Sequence, residues 1–218
     1  MRFRYLSKSI LASCKGDGES FEYINFRGAH FSKCTFKNTI FKGCDFWGTT
    51  FKKCKFNNTV FQDCVFQGCK FKNCDFSGAK LQYSAIVNTN TDECKNLVLE
   101  DTTVVLKEYP DMDFSEKMKE LLENLKENKD LRKTKVFWIS DKKPNNLNLF
   151  LLLRKYSASQ IEAYLEQITG REAGRLTTYG SVNFGLNKLV KCGIIPMSHP
   201  TQSRGCDAYG LGNKDWGL

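Results

Sequence analysis

Histidine is nearly missing from this chain: there are two in 218 residues, His30 and His199. No P-loop, nucleophile elbow, dinucleotide fingerprint or zinc motif compensates for that scarcity. An enzyme is therefore not expected, and neither is a cofactor or a bound metal. Long hydrophobic runs are missing as well. No stretch approaches the roughly 18 apolar residues that cross a bilayer. Near the N-terminus only Ile10-Leu11-Ala12 is continuously apolar, too short for the core of a secretion signal. The reading is a cytoplasmic protein with no membrane partner. No Cys-x-x-Cys pair occurs among the ten cysteines, which argues against a zinc ribbon or a dithiol redox site. Cys192, His199 and Cys206 lack a tight pair and a fourth ligand, so they do not form a zinc set either.

An acidic excess is the last thing absent. The formal charge is +9 and the pI about 9.0. Residues 1–111 hold 16 basic and 12 acidic side chains, and residues 112–218 hold 17 and 12, so both halves are mildly basic. Such a balance favours polyanionic partners.

What the chain has in abundance is phenylalanine at a fixed spacing. Every fifth residue from Phe21 to Phe76 is phenylalanine, and Leu81 and Ile86 keep the same phase. A period of five fits neither a helix face, which repeats at about 3.6, nor a simple strand, which repeats at 2. From Phe31 to Ile86, two residues before each of these positions stands a small or thiol-bearing side chain: Ala29, Cys34, Thr39, Cys44, Thr49, Cys54, Thr59, Cys64, Cys69, Cys74, Ala79 and Ser84. The cysteines of this series read as buried packing groups, because thiol chemistry needs polar or electropositive surroundings.

This pattern resembles the pentapeptide-repeat family, over roughly residues 19–90, with Phe in place of the family's usual Leu and Cys or Thr often in place of its Ala. The resemblance implies a β-solenoid, a right-handed quadrilateral pentapeptide-repeat β-helix with 20 residues per coil. It also implies an inward-pointing ring and small residue in every repeat. Dimers formed through a C-terminal element are known in the family, and on that resemblance a homodimer is expected. Some members imitate duplex DNA and bind gyrase through an acidic surface; this solenoid is lysine-rich and departs from them there.

The 20-residue period sorts outward residues by face. One face collects His30, Ser32, Lys33, Thr50, Lys52, Lys53, Lys70, Lys72 and Asn73. Lys33, Lys52, Lys53, Lys70 and Lys72, with no acid among them, form a candidate phosphate-binding strip; a merely solvated face is the competing reading. Ile40 above Val60, and Trp47 near Val65, suggest a covered surface. The phase fails after about Asn88, and Thr89–Pro110 reads as a cap.

From Asp113 the texture changes. Phe114, Met118, Leu121, Leu122 and Leu125 make one stripe of an amphipathic helix ending near Asn128, capped by Asp113 or Ser115. Val136–Ile139 reads as a short strand. Helices are expected over Asn146–Tyr156, from Ser157 to about Gly170, and over Thr178–Cys192, followed by a hairpin that closes with Cys206–Leu211. The stretch SVNFGLNKLVKCGII and the segment DAYGL resemble the third helix, exit strand and closing wing strand of a winged helix-turn-helix. The domain reading is 1–111 for the β-helix with caps, 112–145 for the amphipathic helix and connector, and 146–218 for an α+β winged-helix-like domain.

The winged-helix resemblance implies that the third helix enters the major groove. Thr178, Tyr179, Ser181, Asn183, Asn187, Lys188 and Lys191 are placed opposite its buried Val182/Leu186/Leu189 stripe. Asn183 and Asn187 suit adenine, and Lys188 and Lys191 suit phosphates. Arg171 and Arg175 flank the helix, and Arg204 lies at the wing tip. The leading expectation is a non-enzymatic protein that binds double-stranded DNA. The alternatives are a topoisomerase (gyrase)-interacting protein and a protein–protein scaffold.

Overall fold

The computed structural model describes residues 1–168 and 170–197. By contact it divides into two units. The first comprises residues 1–108 together with Thr177–Gly180, and the second comprises Tyr109–Leu176 and the residues from Ser181 onward.

The first unit is a β-solenoid of about five turns. Three-residue strands pair in parallel with the strand 20 positions away: Ile10–Ala12 with His30–Ser32, then Thr50–Lys52, then Lys70–Lys72. These strands form the first wall of a four-sided column. A second wall is built on the bridges Lys15, Thr35, Lys55 and Asp75 and the pair Cys74–Asp75 with Cys94–Lys95. The third stacks Ser20–Glu22, Ile40–Lys42, Val60–Gln62 and Lys80–Gln82. The fourth joins Val65–Gln67, Ala85–Val87 and Val104–Leu106, with bridges back to Asn25 and Asp45.

Period five creates the walls because one residue in five turns the chain. Every fifth residue from Phe3 to Asn88 has a left-handed backbone, with φ between +43° and +77°. Glycine takes that conformation without cost, and asparagine takes it more readily than most residues. Lys33 and Lys53 occupy it at φ +54°, held there by the ladder: their N–H groups donate to the carbonyls of Lys52 and Lys72, both at 2.8 Å.

Inside, the rings stack in columns. Phe31, Phe51 and Phe71 lie 5.1 Å apart, centroid to centroid, nearly parallel. Phe26, Phe46 and Phe66 form another column at 5.4 and 4.9 Å. Rings of neighbouring columns meet edge to face, as Phe51 and Phe56 do at 81°. The coil spacing of about 4.8 Å thus falls in the range where offset-stacked aromatic pairs are favourable.

The small residue before each ring does more than fill space. Thr49 donates its hydroxyl to the carbonyl of Phe26 at 2.8 Å, and Ser84 does the same to Phe61 at 3.0 Å. Thiols take the same role: Cys64 to Phe41 at 3.3 Å and Cys69 to Phe46 at 2.9 Å. Each donor reaches the ring-bearing residue 23 positions earlier. A hydroxyl or thiol is selected because it fits a narrow inward site and also satisfies a carbonyl lone pair.

The solenoid extends beyond the phenylalanine run at both ends. Before it, Arg2 bridges Glu22 and Tyr5 bridges Asn25. After it, Cys94 still pairs with Cys74, but Ala85 pairs with Val104 rather than with residue 105. The last turn is therefore one residue short of the repeat, which is why the phase looks lost after Asn88.

The second unit holds helices α1 (Glu116–Leu125), α2 (Lys129–Thr134), α3 (Asn146–Leu153), α4 (Ala158–Glu166) and α5 (Gly170–Ala173), and most of α6 (Tyr179–Lys191). Ser115 caps α1, accepting from the Met118 amide, and the α1 stripe buries Phe114, Met118 and Leu122. Ser157 and Gln160 make a reciprocal capping box on α4. Asn145 caps α3 and ties it to the preceding loop, donating to the Lys135 carbonyl at 2.9 Å. Trp138–Ser140 pairs antiparallel with Lys143–Pro144, so the expected short strand is one half of a two-stranded hairpin. The expected polar turn from Ser198 and the closing wing strand Cys206–Leu211 lie outside the described residues; the described helices do not by themselves specify a winged helix. Among the described residues no helix is long and apolar enough to cross a membrane.

Candidate nucleic-acid interface

The walls of the solenoid differ sharply in charge. The first two walls adjoin at a corner made by Ser13, Lys33, Lys53 and Asn73, all with positive φ. Over residues 30–38, 50–58 and 70–78 these walls carry Lys33, Lys37, Lys52, Lys53, Lys55, Lys70 and Lys72 against a single acid, Asp75. Over 20–28, 40–48, 60–68 and 80–88 the other two walls carry Arg27, Lys42 and Lys80 against Glu22, Asp45 and Asp63. One side of the column is thus strongly basic and the other is balanced.

All seven of those lysines are exposed. Among the described residues none of them lies in an ion pair. Elsewhere on the solenoid two arginines are neutralised locally. Arg27 meets Asp45 at 2.6 Å and lies 4.4 Å over the Trp47 ring, and Arg2 meets Glu22 at 3.1 Å. Asp75 also does not neutralise a lysine. Its carboxylate accepts from Asn57 at 2.8 Å and from the Ser77 amide and hydroxyl at 3.0 and 2.6 Å. These donors hold its carboxyl well below the usual carboxylate range, Ser77 and then Asn57 contributing most.

The register stacks like charge on like charge. Lys52 pairs directly with Lys72. Lys33 and Lys53 stand one coil apart on the corner. Like charges directly opposite in a sheet are destabilising, so this arrangement is a cost to the fold in the absence of a counter-charge.

The expected strip of Lys33, Lys52, Lys53, Lys70 and Lys72 is thus brought together. Lys37, Lys55 and Lys15 on the adjoining wall were not in the expected set. The signal for them was present, since residues 35 and 55 share one bridge ladder with 15 and 75, but a reading confined to one wall does not see round a corner.

The expected groove-reading face of α6 requires correction. Thr178, Tyr179, Ser181 and Asn183 are buried, not exposed opposite the apolar stripe. The Thr178 hydroxyl donates to the Gly43 carbonyl at 2.6 Å, and Asn183 Oδ1 accepts from the Tyr156 hydroxyl at 3.0 Å. The first turns of α6 bury side chains on more than one face, so the rule that one stripe is buried and the opposite stripe is free does not apply there. Asn187, Lys188, Lys191 and Arg175 are exposed. Arg204 and the side chain of Arg171 lie outside the described residues.

Repeat architecture and aromatic columns define a solenoid repeat protein. Residues 18–91 match the family described as pentapeptide repeat region, and this part of the chain is a pentapeptide-repeat region. No curated protein matches the chain. Among solved structures it is similar to trypsin-treated QnrB1, a plasmid-mediated fluoroquinolone resistance protein. That match has 18% identity and a TM-score of 0.42, covering 50% of this chain and 55% of that one. It is also similar to a pentapeptide repeat protein of the Arabidopsis thaliana thylakoid lumen, at 15% identity and a TM-score of 0.35, covering 63% and 90%. A third is HetL of the cyanobacterium Nostoc, involved in heterocyst differentiation regulation, at 12% identity and a TM-score of 0.24, covering 48% and 70%. The match spans little more than half the length of that trypsin-treated QnrB1 chain, and these likenesses carry nothing about partners.

Proposed function

We propose that this protein is a non-enzymatic DNA-binding rod whose contact surface is the basic side of the solenoid. The observation that carries this reading is the charge split over the three middle coils: seven exposed lysines against Asp75 over residues 30–38, 50–58 and 70–78 on two adjoining walls, and balance on the other two. Duplex DNA presents a dense row of phosphates, and lysines that neutralise them gain from counterion release. The repulsion stored in the Lys52–Lys72 pairing is relieved when phosphates bind. Helix α6 contributes at most through its exposed C-terminal half, because its N-terminal polar side chains are already engaged.

The test is a salt titration of duplex binding by the full chain. Affinity is expected to fall steeply as salt rises, and the Lys52→Glu/Lys53→Glu/Lys72→Glu variant should lose most of it. Asn187→Ala/Lys188→Ala should retain most of it. Absence of duplex binding at about 50 mM salt ends this reading. Inhibition of supercoiling by purified gyrase, under conditions where free DNA is not bound, would favour the topoisomerase alternative instead.

A further inference from the structure

Resting on the reading that this surface binds duplex DNA, we infer that the corner carrying Lys33 and Lys53 enters the major groove. The two walls beside it then reach phosphates of opposite strands. If a single flat wall lay against the duplex, only one set of lysines would be used. Lys52 and Lys72 stand on the first wall and Lys37 and Lys55 on the second. In a four-sided column those walls diverge by about a right angle, so no single plane of phosphates meets both. A groove does, because its phosphates flank it on two sides.

The dimensions agree. Each wall strand has three residues, about 10 Å at roughly 3.3 Å per residue. Three coils at about 4.8 Å intervals stack to a similar height. The major groove is about 12 Å wide and 8.5 Å deep, whereas the minor groove, at about 6 Å, is too narrow for such a ridge. The edge is also stiff. The N–H groups of Lys33 and Lys53 are fixed in the ladder at 2.8 Å, and both residues hold the same left-handed turn.

The experiment measures fluorescence anisotropy of a labelled duplex of about two helical turns with the full chain across a salt series. Melting temperatures confirm that each variant is folded. Lys52→Gln/Lys72→Gln and Lys37→Gln/Lys55→Gln should each reduce the salt slope by about 2, since each lysine removed leaves one phosphate no longer neutralised. Lys42→Gln/Lys80→Gln, on the third wall, should leave it unchanged. If either flanking pair leaves the slope at the wild-type value while the other lowers it, the duplex lies on one wall and the groove placement is wrong, though DNA binding stands. Binding of a single strand as tight as that of the duplex also overturns the groove placement. If the wild-type protein binds no duplex at all, the underlying reading fails and takes this one with it.

Discussion

Gly16 and Phe36 meet where two side chains cannot. Gly16 holds the ring position of its repeat, in phase with Phe36, Phe56 and Phe76. A Cβ built on it would lie 2.8 Å from Phe36 Cδ1 and 3.3 Å from Phe21 Cε2. Phe21 and Phe36 close over this point edge to face, 6.1 Å apart. Glycine at this position is what leaves room for the two rings. Gly16→Ala should lower stability by about 1–3 kcal/mol through overpacking. The midpoint of urea unfolding reads this directly, and an unchanged midpoint would refute it.

The inward donors give a second prediction. Thr49 is fully buried and satisfies the Phe26 carbonyl. Thr49→Val keeps the volume but removes the donor, leaving that carbonyl with one partner fewer; a loss of about 1–3 kcal/mol is expected. Thr49→Cys should cost distinctly less, because Cys64 and Cys69 already make the same hydrogen bond in their own repeats. Equal losses for the two variants in denaturant unfolding would show that the hydrogen bond is not what selects these residues.

Thiol reactivity supplies a third. Cys64 and Cys69 are buried in the aromatic core, and desolvation pushes both thiols up from their ordinary range. Cys94, at the last turn, is pushed up to about 12 by burial first and then by Cys74 and its acidic neighbours. Cys192 is exposed. Since the thiolate is the reactive form, iodoacetamide at about pH 8 should label Cys192 while leaving Cys64 and Cys69 intact until the protein is unfolded. Peptide mass spectrometry decides this. Labelling of Cys69 in the native protein as fast as Cys192 would mean that the solenoid opens far more readily than its packing suggests.

How much of this was legible in the sequence follows from which residues carry the period. Between Phe21 and Ile86 the ring position is apolar in every repeat, and one number, five, sets walls, corners and core. At Gly16 the ring is missing and at Leu6 and Leu11 it is aliphatic, so the first coil is silent to a search for phenylalanine. After Ala85 the spacing drops to 19, and one deleted residue is enough to hide a strand pairing that the backbone still makes. The basic strip was readable wall by wall, but its continuation to Lys37 and Lys55 depends on adjacency round a corner, which is a property of the coil and not of any one ladder. Helix α6 failed for a different reason. Amphipathic patterning tells which stripe must be buried, and Tyr179, Ser181 and Asn183 are buried in addition to that stripe. Polar residues that find partners, as Asn183 does with Tyr156, leave no mark in the hydrophobic pattern.

Asp75 gives the last prediction, on pH. Its carboxylate accepts from Ser77 and Asn57 in the folded protein, and those donors depress its pKa. In the unfolded chain the donors are gone and the group returns to the usual value near 3.9. A depressed folded-state pKa means that the unfolded state binds the proton first, so the ionised form contributes stability above about pH 4. That contribution is lost progressively as pH falls below this value toward the folded-state pKa. Asp75→Asn keeps an acceptor oxygen but carries no charge. It should be less stable than wild type at neutral pH, and the gap between the two melting temperatures should shrink steadily as pH falls below about 4. A gap that stays constant from neutral pH into that acid range would show that the donors around Asp75 do not favour its charged form.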